Sequence, residues 1–507
     1  VLTAVLLGLG MSAAAADFTL KACTEHLPSP LGIDSPHPRF SWMPDSTCRA
    51  ARQQSWRLVV ALDSLSALSM QGNLVSSQYG QDDRVLVRYE GLPLQPRTRY
   101  YWRVLANYGD RQADSGVQTF ETGLGSRAEW HGHWIGDGKS PDALPAPYFR
   151  KTFSVEKEVA HARIYMAAAG LYELSINGRR VGNHMLDPLY TRFDRRVLYV
   201  THDVTSLVHR GVNAAGVVLG NGWYNHQSIG VWNFERAPWR NRPTFCMDLV
   251  LTYTDGTEQV VATDLSWRTS EGEIVQDNIY TGEHRDFTLT QKGWDCPEFD
   301  DSKWQGVGFR PCPAQHVTAQ QARPIRIEWE RKAVELKRLS DKVWLFDFGQ
   351  NMAGVTRLRL QGERGTVLHL RHAERLGKDG AIDQSNIDVY YRGDRERDPF
   401  QTDVVTLSGE TDEYCTQFNY KGFRYVQVES SKPIELTSDN LTACFLHSDV
   451  PQVGSITASD PIIGKLMHAS RMSYLSNLMG LPTDCPQREK NGWTGDGHLA
   501  IEAGLYN

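Results

Sequence analysis

Charged and aromatic side chains are concentrated in residues 484–496 of the 507-residue sequence. This segment carries three carboxylates, one guanidinium, one ammonium and one indole, while Pro486 and Gly492 disfavour a regular helix through it. Acid-catalysed cleavage of a glycosidic bond needs a carboxyl group that stays protonated, polar groups that hold sugar hydroxyls, and an aromatic face that packs on the sugar ring. The composition of this loop therefore indicates glycoside chemistry.

The alternative interpretation is a solvated charged loop whose Asp496 caps the helix that follows, since Asp is a favourable N-cap residue. That interpretation accounts for Asp496 alone. It does not account for Trp493 or for the convergence of three carboxylates. The candidate site residues are therefore Asp484, Arg488, Glu489, Trp493 and Asp496.

Alternating apolar and polar residues predict strands through most of the sequence before this loop. In residues 17–124, two alternating runs and a candidate tyrosine corner at Tyr100 predict a fibronectin type III-like β-sandwich. In residues 125–318, the Asn177-Gly178 pair predicts a type I′ hairpin, and the closing segment resembles that of jelly-roll sugar-binding domains. Three aromatic residues there could stack on a sugar, with core packing the favoured role for the first: Trp223, Tyr224 and Trp232.

A third β segment is predicted at residues 319–448, with alternating runs at 355–360 and 367–372. The charged cluster at residues 371–374 is explained by a solvated strand face. The polar run at 378–397 predicts a long exposed loop.

The hydrophobic period becomes helical in residues 449–507. Asp460 and Pro461 supply an N-cap and a first-turn proline. Six residues then fall on one face of a helix of about five turns: Ile463, Leu466, Met467, Ser470, Tyr474 and Leu478. A second helical face begins after the loop with Leu499, Ala500, Ala503 and Leu505. Two helices cannot enclose a core of their own.

The motif Asp-Cys-Pro-Gln-Arg-Glu at 484–489, followed by Gly-Trp-Thr-Gly-Asp at 492–496, resembles the catalytic motif of bacterial α-L-rhamnosidases, glycoside hydrolase family 78. Other motifs resemble landmarks of that family in its order, at residues 31–34, 38–42, 221–224, 348–354 and 421–425. The resemblance implies a mostly β, multidomain protein: the sandwich, a jelly-roll domain, a concanavalin-like sandwich, and the first helices of an (α/α)6 toroid. It also implies that the third module packs on the catalytic one and can complete its rim.

The resemblance further implies an inverting glycosidase that releases terminal α-L-rhamnose from rhamnosides or rhamnose-containing polysaccharides. Glu489 is then the general acid, and Asp484 and Asp496 hold rhamnose hydroxyls while their charge favours the protonated form of Glu489. Arg488 opposes that effect unless it points away or pairs with Asp484. Trp493 packs on the ring or on its C6 methyl group. Some relatives have one more residue between the Asp and the Glu of this motif, whereas the spacings from Glu489 to Trp493 and to Asp496 fit the family.

Inversion also needs a carboxylate base, about 6.5–9.5 Å from the acid. In the family that base is a glutamate from a later toroid loop, and no residue of this sequence matches it. Glu502 is near in sequence, but packing of Leu499 and Ala503 decides where it points, so it is not a candidate. These 507 residues alone are therefore expected to be inactive.

Residues 1–16 are interpreted as part of a signal peptide, because an apolar run precedes an Ala14-Ala15-Ala16 cleavage site. Export to the periplasm or beyond is the corresponding prediction. The cysteines do not form a disulfide scaffold. Two pairs are close enough to bond within single domains, although free thiols explain them equally well: Cys23 with Cys48, and Cys296 with Cys312.

Several function classes are disfavoured. The net charge of −6, with both signs interspersed, argues against nucleic acid, and no window predicts a membrane span. No cofactor is predicted, and His131 and His133 lack a third ligand at a zinc spacing. Two alternatives stay open: a non-catalytic carbohydrate-binding protein of stacked β-sandwiches, and an (α/α)6 polysaccharide lyase. The acidic loop disfavours both. A binding module has little use for three converging carboxylates, and these carboxylates would repel the uronate that a lyase binds.

Overall fold

The computed structural model describes residues 18–44, 52–389, 391, 393–394 and 396–506. The chain divides into two compact units, Val1–Glu129 and Trp130–Asn507. The predicted signal segment and Cys48 lie outside the described residues, so export and the Cys23–Cys48 bond stay predictions.

The first unit is a β-sandwich around an aromatic core. In the strand Arg99–Tyr108 every second residue is buried, as period-two alternation predicts. Tyr100 forms the predicted corner, since its hydroxyl accepts a hydrogen bond from the Gln95 backbone N–H at 2.8 Å. The helical elements are Ser64–Ser69 and the 3₁₀ turn Arg127–Glu129. The strands are Phe18–Thr24, Arg39–Pro44, Ser55–Ala61, Leu74–Gly80, Leu86–Arg88, Arg99–Tyr108, Arg111–Asp114 and Gln118–Glu121.

The second unit begins with a jelly-roll whose six- and seven-stranded sheets share one apolar core. The predicted hairpin is confirmed: Asn177 and Gly178 have φ of 53° and 74°, and Ile176 pairs with Arg179. The six-stranded sheet contains Pro147–Val155, Leu171–Ile176, Arg179–Arg180, Gly211–Gly220, Arg268–Glu271 and Gln305–Gly306. The other contains Ile135–Gly136, Val159–Ala169, Arg196–Asp203, Thr244–Tyr253, Glu258–Ala262, Gly308–Phe309 and His316–Ala319. Three 3₁₀ turns follow strands: Thr205–Leu207, Phe234–Arg236 and Phe287–Leu289.

A ten-stranded sheet forms the next layer. It takes two strands, Ile274–Asn278 and Gly282–Asp286, from the segment predicted to be jelly-roll. The latter pairs in parallel with Thr402–Thr406, more than a hundred residues further on. The remaining strands are Ile325–Lys332, Glu335–Arg338, Val343–Gln361, Val367–Ala373, Thr402–Thr406, Thr411–Cys415, Lys421–Ser430 and Leu441–Ser448, with a small separate pair at Arg375–Leu376 and Ile382–Asp383.

Two helices complete the described chain, Pro461–Ser476 and Thr494–Tyr506. Asp460 caps the first, accepting a hydrogen bond from the Ile462 N–H at 2.8 Å. The predicted inward face is only partly correct. The buried residues of that helix lie in its last turn and a half, while Ile463 and Leu466 are 43% and 61% exposed, because none of the described residues covers them. Neither helix has the length and apolar run of a bilayer span.

The mostly β, multidomain fold with a helical end is confirmed. Among the described residues before 450, Ser64–Ser69 is the one α-helix, and no helix crosses between parallel strands. Cys296 and Cys312 carry free thiols, so the interpretation of this pair as free thiols, and not as a disulfide bond, is the one that the structure supports.

Buried histidines make the stability of this fold dependent on pH. Burial lowers the pKa of His372 to about 3, and its ring contacts the Thr356 hydroxyl at 3.1 Å and the Gln401 carbonyl at 3.2 Å. An unfolded histidine takes up a proton near pH 6.5. Since the folded group does not, the free energy of unfolding should fall as pH decreases from 6.5 towards 3.

We expect His372→Gln to lower the slope of unfolding free energy against pH by roughly 1 kcal/mol per unit between pH 6 and 4. Urea titrations at several pH values measure the slope, and His316→Gln at an exposed position is the matched control. Parallel slopes for His372→Gln and the parent protein would contradict the burial of this ring.

Candidate active site

The loop between the two helices is closed by backbone contacts across its base. Thr483 pairs with Gly492 as an isolated bridge. The Asp484 N–H donates to the Asn491 carbonyl at 3.0 Å, and the Asp484 carboxylate accepts from the Asn491 N–H at 3.2 Å. Residues 486–489 form a turn inside this closure. Asp484 therefore lies at the base of the loop and Glu489 at the end of its turn.

Glu489 has a mostly buried side chain beside an exposed indole. Its side chain is 16% exposed, and its two carboxylate oxygens lie 3.4 Å from Trp493 Nε1 and 3.5 Å from a nitrogen of Arg488. The Glu489 N–H donates to the sulfur of Cys485 at 3.2 Å. Trp493 is 45% exposed, which leaves indole surface available to a ligand. The structure therefore brings together Glu489, Arg488 and Trp493, and Arg488 points towards Glu489.

Asp484 and Asp496 line a different part of the site, a cleft of about 280 Å³ between the helices. Asp496 lies in the first turn of its helix, where the helix dipole favours a carboxylate, rather than at an N-cap. Asp484 also accepts a contact from the Cys485 thiol at 3.0 Å. The other lining residues are Ser470, Ser473, Tyr474, Asn477, Pro482, Thr483, Leu499, Ala500 and Ala503; Glu489 and Trp493 are not among them.

The ten-stranded sheet packs against the loop. A Cβ atom at Gly422 would lie 3.0 Å from Pro486 Cγ and from Gln487 Cβ, so glycine permits the close approach. The Gln487 amide donates to Glu374 at 2.9 Å. A solvated strand face is therefore the wrong explanation for the charged cluster at 371–374, because His372 is buried and Glu374 contacts the loop.

The jelly-roll also reaches the loop. The Trp232 and Trp493 rings lie with centroids 5.3 Å apart. Tyr280, between two strands of the ten-stranded sheet, adds a further contact, since its hydroxyl donates to the Glu489 carbonyl at 2.8 Å. Trp223, by contrast, is only 8% exposed, which confirms core packing as its favoured role. Sequence reasoning missed Tyr280 and the buried Lys490. Neither has a local signal, since a lysine in a charged loop is usually solvated.

No group of three His, Cys, Asp or Glu in the described part of the chain is arranged to hold a metal ion. His131 instead lies 3.3 Å from the buried Asp248 carboxylate, and His133 packs against Phe309 with ring centroids 5.0 Å apart.

Four domain families match consecutive parts of the chain. They are a Rha78A-like N-terminal immunoglobulin domain at residues 20–126, an α-L-rhamnosidase N-terminal domain at 157–329, a bacterial α-L-rhamnosidase concanavalin-like domain at 337–447, and the bacterial α-L-rhamnosidase six-hairpin glycosidase domain at 451–507. The candidate loop lies in the fourth. This succession is that of multidomain proteins in which β modules precede a six-hairpin glycosidase domain.

Individual relatives agree. An α-L-rhamnosidase of Formosa agariphila is 31% identical over 94% of this chain and 53% of its own length. The solved α-L-rhamnosidase of Dictyoglumus thermophilum superposes with a TM-score of 0.88 at 32% identity, over 96% of this chain and 55% of that one. The Streptomyces avermitilis α-L-rhamnosidase, solved with L-rhamnose, gives 0.87 at 26% identity, over 95% and 62%. The chain belongs to the bacterial α-L-rhamnosidase family, and it spans about half the length of the curated relatives it matches.

Proposed function

We propose that this chain supplies the proton donor and sugar-holding residues of an inverting α-L-rhamnosidase. The observation that carries the proposal is the Glu489 carboxyl group, mostly buried and in contact with the exposed indole of Trp493, in the loop that matches the six-hairpin glycosidase domain. A proton donor for a glycosidic oxygen must be shielded from water yet open to the substrate on one side. The 16% exposure of the Glu489 side chain, beside the exposed indole of Trp493, supports this role.

In the proposed reaction Glu489 gives its proton to the departing glycosidic oxygen as the bond to C1 breaks. Water adds to C1 from the opposite face, so the released sugar has the inverted configuration. The exposed face of Trp493 is suited to the apolar C5–C6 edge of a 6-deoxy sugar. Asp484 and Asp496, which line the cleft between the helices, are proposed to accept hydrogen bonds from its hydroxyl groups.

The base that activates the water is assigned to no residue of this chain. Glu502 lies on the exposed side of the second helix, which supports the view that it is not the base. Activity is therefore best tested on a full-length protein that carries this chain. Export to the periplasm or beyond is also proposed, supported by the apolar residues 1–11 and the small residues 14–16.

The deciding experiment follows the hydrolysis of a rhamnoside by proton NMR. A full-length protein with this loop is expected to release β-L-rhamnose first from an α-L-rhamnoside, before mutarotation mixes the anomers. Release of the α-anomer first would show retention, and a protein that binds the glycoside without hydrolysing it would be a carbohydrate-binding protein. Either outcome would overturn the proposal.

A further inference from the structure

Lys490, directly after Glu489, is buried, although lysine is among the residues least often buried. It is 2% exposed, and its amine donates to the carbonyl of Ile279 at 2.6 Å and to the carbonyl of Tyr420. The amine also lies 4.4 Å from the centre of the Tyr420 ring. Burial, and then the charge of Lys421, holds the pKa of this amine well below its usual range. Its interactions are thus with carbonyl groups and an aromatic ring.

The backbone of Lys490 is held in an unfavourable conformation. Its φ is 53°, in the left-handed region that a residue with a side chain seldom adopts. Such a conformation persists only where the surroundings fix it. Here its N–H donates to the Cys485 carbonyl at 3.2 Å, which closes the turn, and the side chain enters the space between two β segments.

Tyr280, the neighbour of Ile279 in the sequence, holds the backbone of Glu489. Its hydroxyl donates to the Glu489 carbonyl at 2.8 Å, and it is 3% exposed. Its ring packs against Trp223 and His226, with centroid distances of 5.5 and 5.1 Å. Because Tyr280 lies between two strands of the ten-stranded sheet, it gives the carbonyl of Glu489 a rigid partner.

We infer that Lys490 and Tyr280 are positioning residues, which hold Glu489 in the orientation that proton donation requires. The inference rests on the proposed function of Glu489 as the acid. A general acid must lie within hydrogen-bond reach of the oxygen it protonates, and a displacement of about 1 Å can cost 10²-fold in rate. The buried residues Ile279, Tyr280 and Tyr420 thus act on catalysis only through the position of Glu489.

The test compares two variants in a full-length protein that carries this chain. Tyr280→Phe keeps the packed ring and loses one hydrogen bond, and Lys490→Met keeps most of the length of the side chain and loses its donors. Each should lower kcat/KM about tenfold or more for an alkyl rhamnoside, and clearly less for an aryl rhamnoside with an activated leaving group. The matched controls are Lys465→Met and Tyr79→Phe, at exposed positions away from the loop.

The dependence on leaving group separates positioning from a general loss of structure. A structural role would lower activity by the same factor on every substrate, and that result, or full activity in both variants, would overturn the inference. If Lys490→Met does not fold, Tyr280→Phe decides alone. Glu489→Gln is measured in parallel. If it shows no dependence on leaving group, the proposed function itself fails; if it does and Tyr280→Phe does not, only the present inference fails.

Discussion

Glu489→Gln is expected to lower kcat/KM by about 10²–10⁴-fold for a rhamnoside with a poor leaving group, the usual contribution of general acid catalysis. Glutamine keeps the size of the side chain and an oxygen that can still accept from Trp493 Nε1, now at 3.4 Å. It has no proton to transfer. An aryl rhamnoside whose leaving group needs little protonation should therefore be hydrolysed at a largely recovered rate. Steady-state kinetics on leaving groups of graded pKa measure this difference.

Asp496→Asn is the matched control. Asp496 lines the cleft between the helices and is proposed to hold the sugar, so its loss should be similar across the whole leaving-group series. Both variants replace a carboxyl group by an amide of the same size, so a loss that follows from this replacement alone is common to the two. If both lost activity equally at every leaving group, Glu489 would not be the acid.

Local signals explain why much of the β fold could be predicted. The Tyr100 corner involves residues five positions apart, and the Asn177-Gly178 hairpin involves neighbours. The strands at 355–360 and 367–372 alternate in the sequence because alternate side chains face the core. For the corner and the hairpin the determining interaction lies within a few residues of the pattern that reveals it, and for the strands the period itself is local.

Long-range pairing explains what could not be predicted. The strands Ile274–Asn278 and Gly282–Asp286 look local to the jelly-roll, yet the second pairs with residues 404–406. The first helix has apolar residues on its predicted face, but burial depends on what packs there. Ile463 and Leu466 consequently follow the sequence spacing of core residues, although their side chains are exposed.

The candidate loop also combines features that are visible in the local sequence with contacts that are not. The types and spacing of Glu489, Trp493 and Asp496 are visible in the sequence, and they indicate the chemistry. Their support is not visible, since Tyr280 and Ile279 lie 209 and 211 positions from the residues they hold. Lys490 is the clearest case, because only its left-handed backbone and its burial separate it from an ordinary surface lysine.

A buried ion pair in the ten-stranded sheet leads to the largest expected effect on stability. Lys421 Nζ lies 2.7 Å from a carboxylate oxygen of Asp403, and their side chains are 1% and 0% exposed. Burial raises the pKa of Asp403, but the attraction of Lys421 and smaller contributions, among them hydrogen bonds from Lys421 and from the Glu283 N–H, together hold that pKa below its usual range. The same Asp403 oxygen accepts from the Glu283 N–H at 3.0 Å, which ties the added strand Gly282–Asp286 to this pair.

Lys421→Met should lower the free energy of unfolding by about 3–5 kcal/mol at pH 7, because it leaves the Asp403 carboxylate buried without its counter-charge. Lys432→Met, which breaks the exposed ion pair with Glu363, should cost at most about 1 kcal/mol.

Without Lys421, the folded pKa of Asp403 should rise above its unfolded value, so the loss should shrink as pH falls and Asp403 takes up a proton. The double variant Lys421→Met/Asp403→Asn should recover part of the loss, since neither charge remains. Urea unfolding at pH 7 and pH 5 measures all three; equal losses for Lys421→Met and Lys432→Met would show that the Lys421–Asp403 pair is not buried in solution.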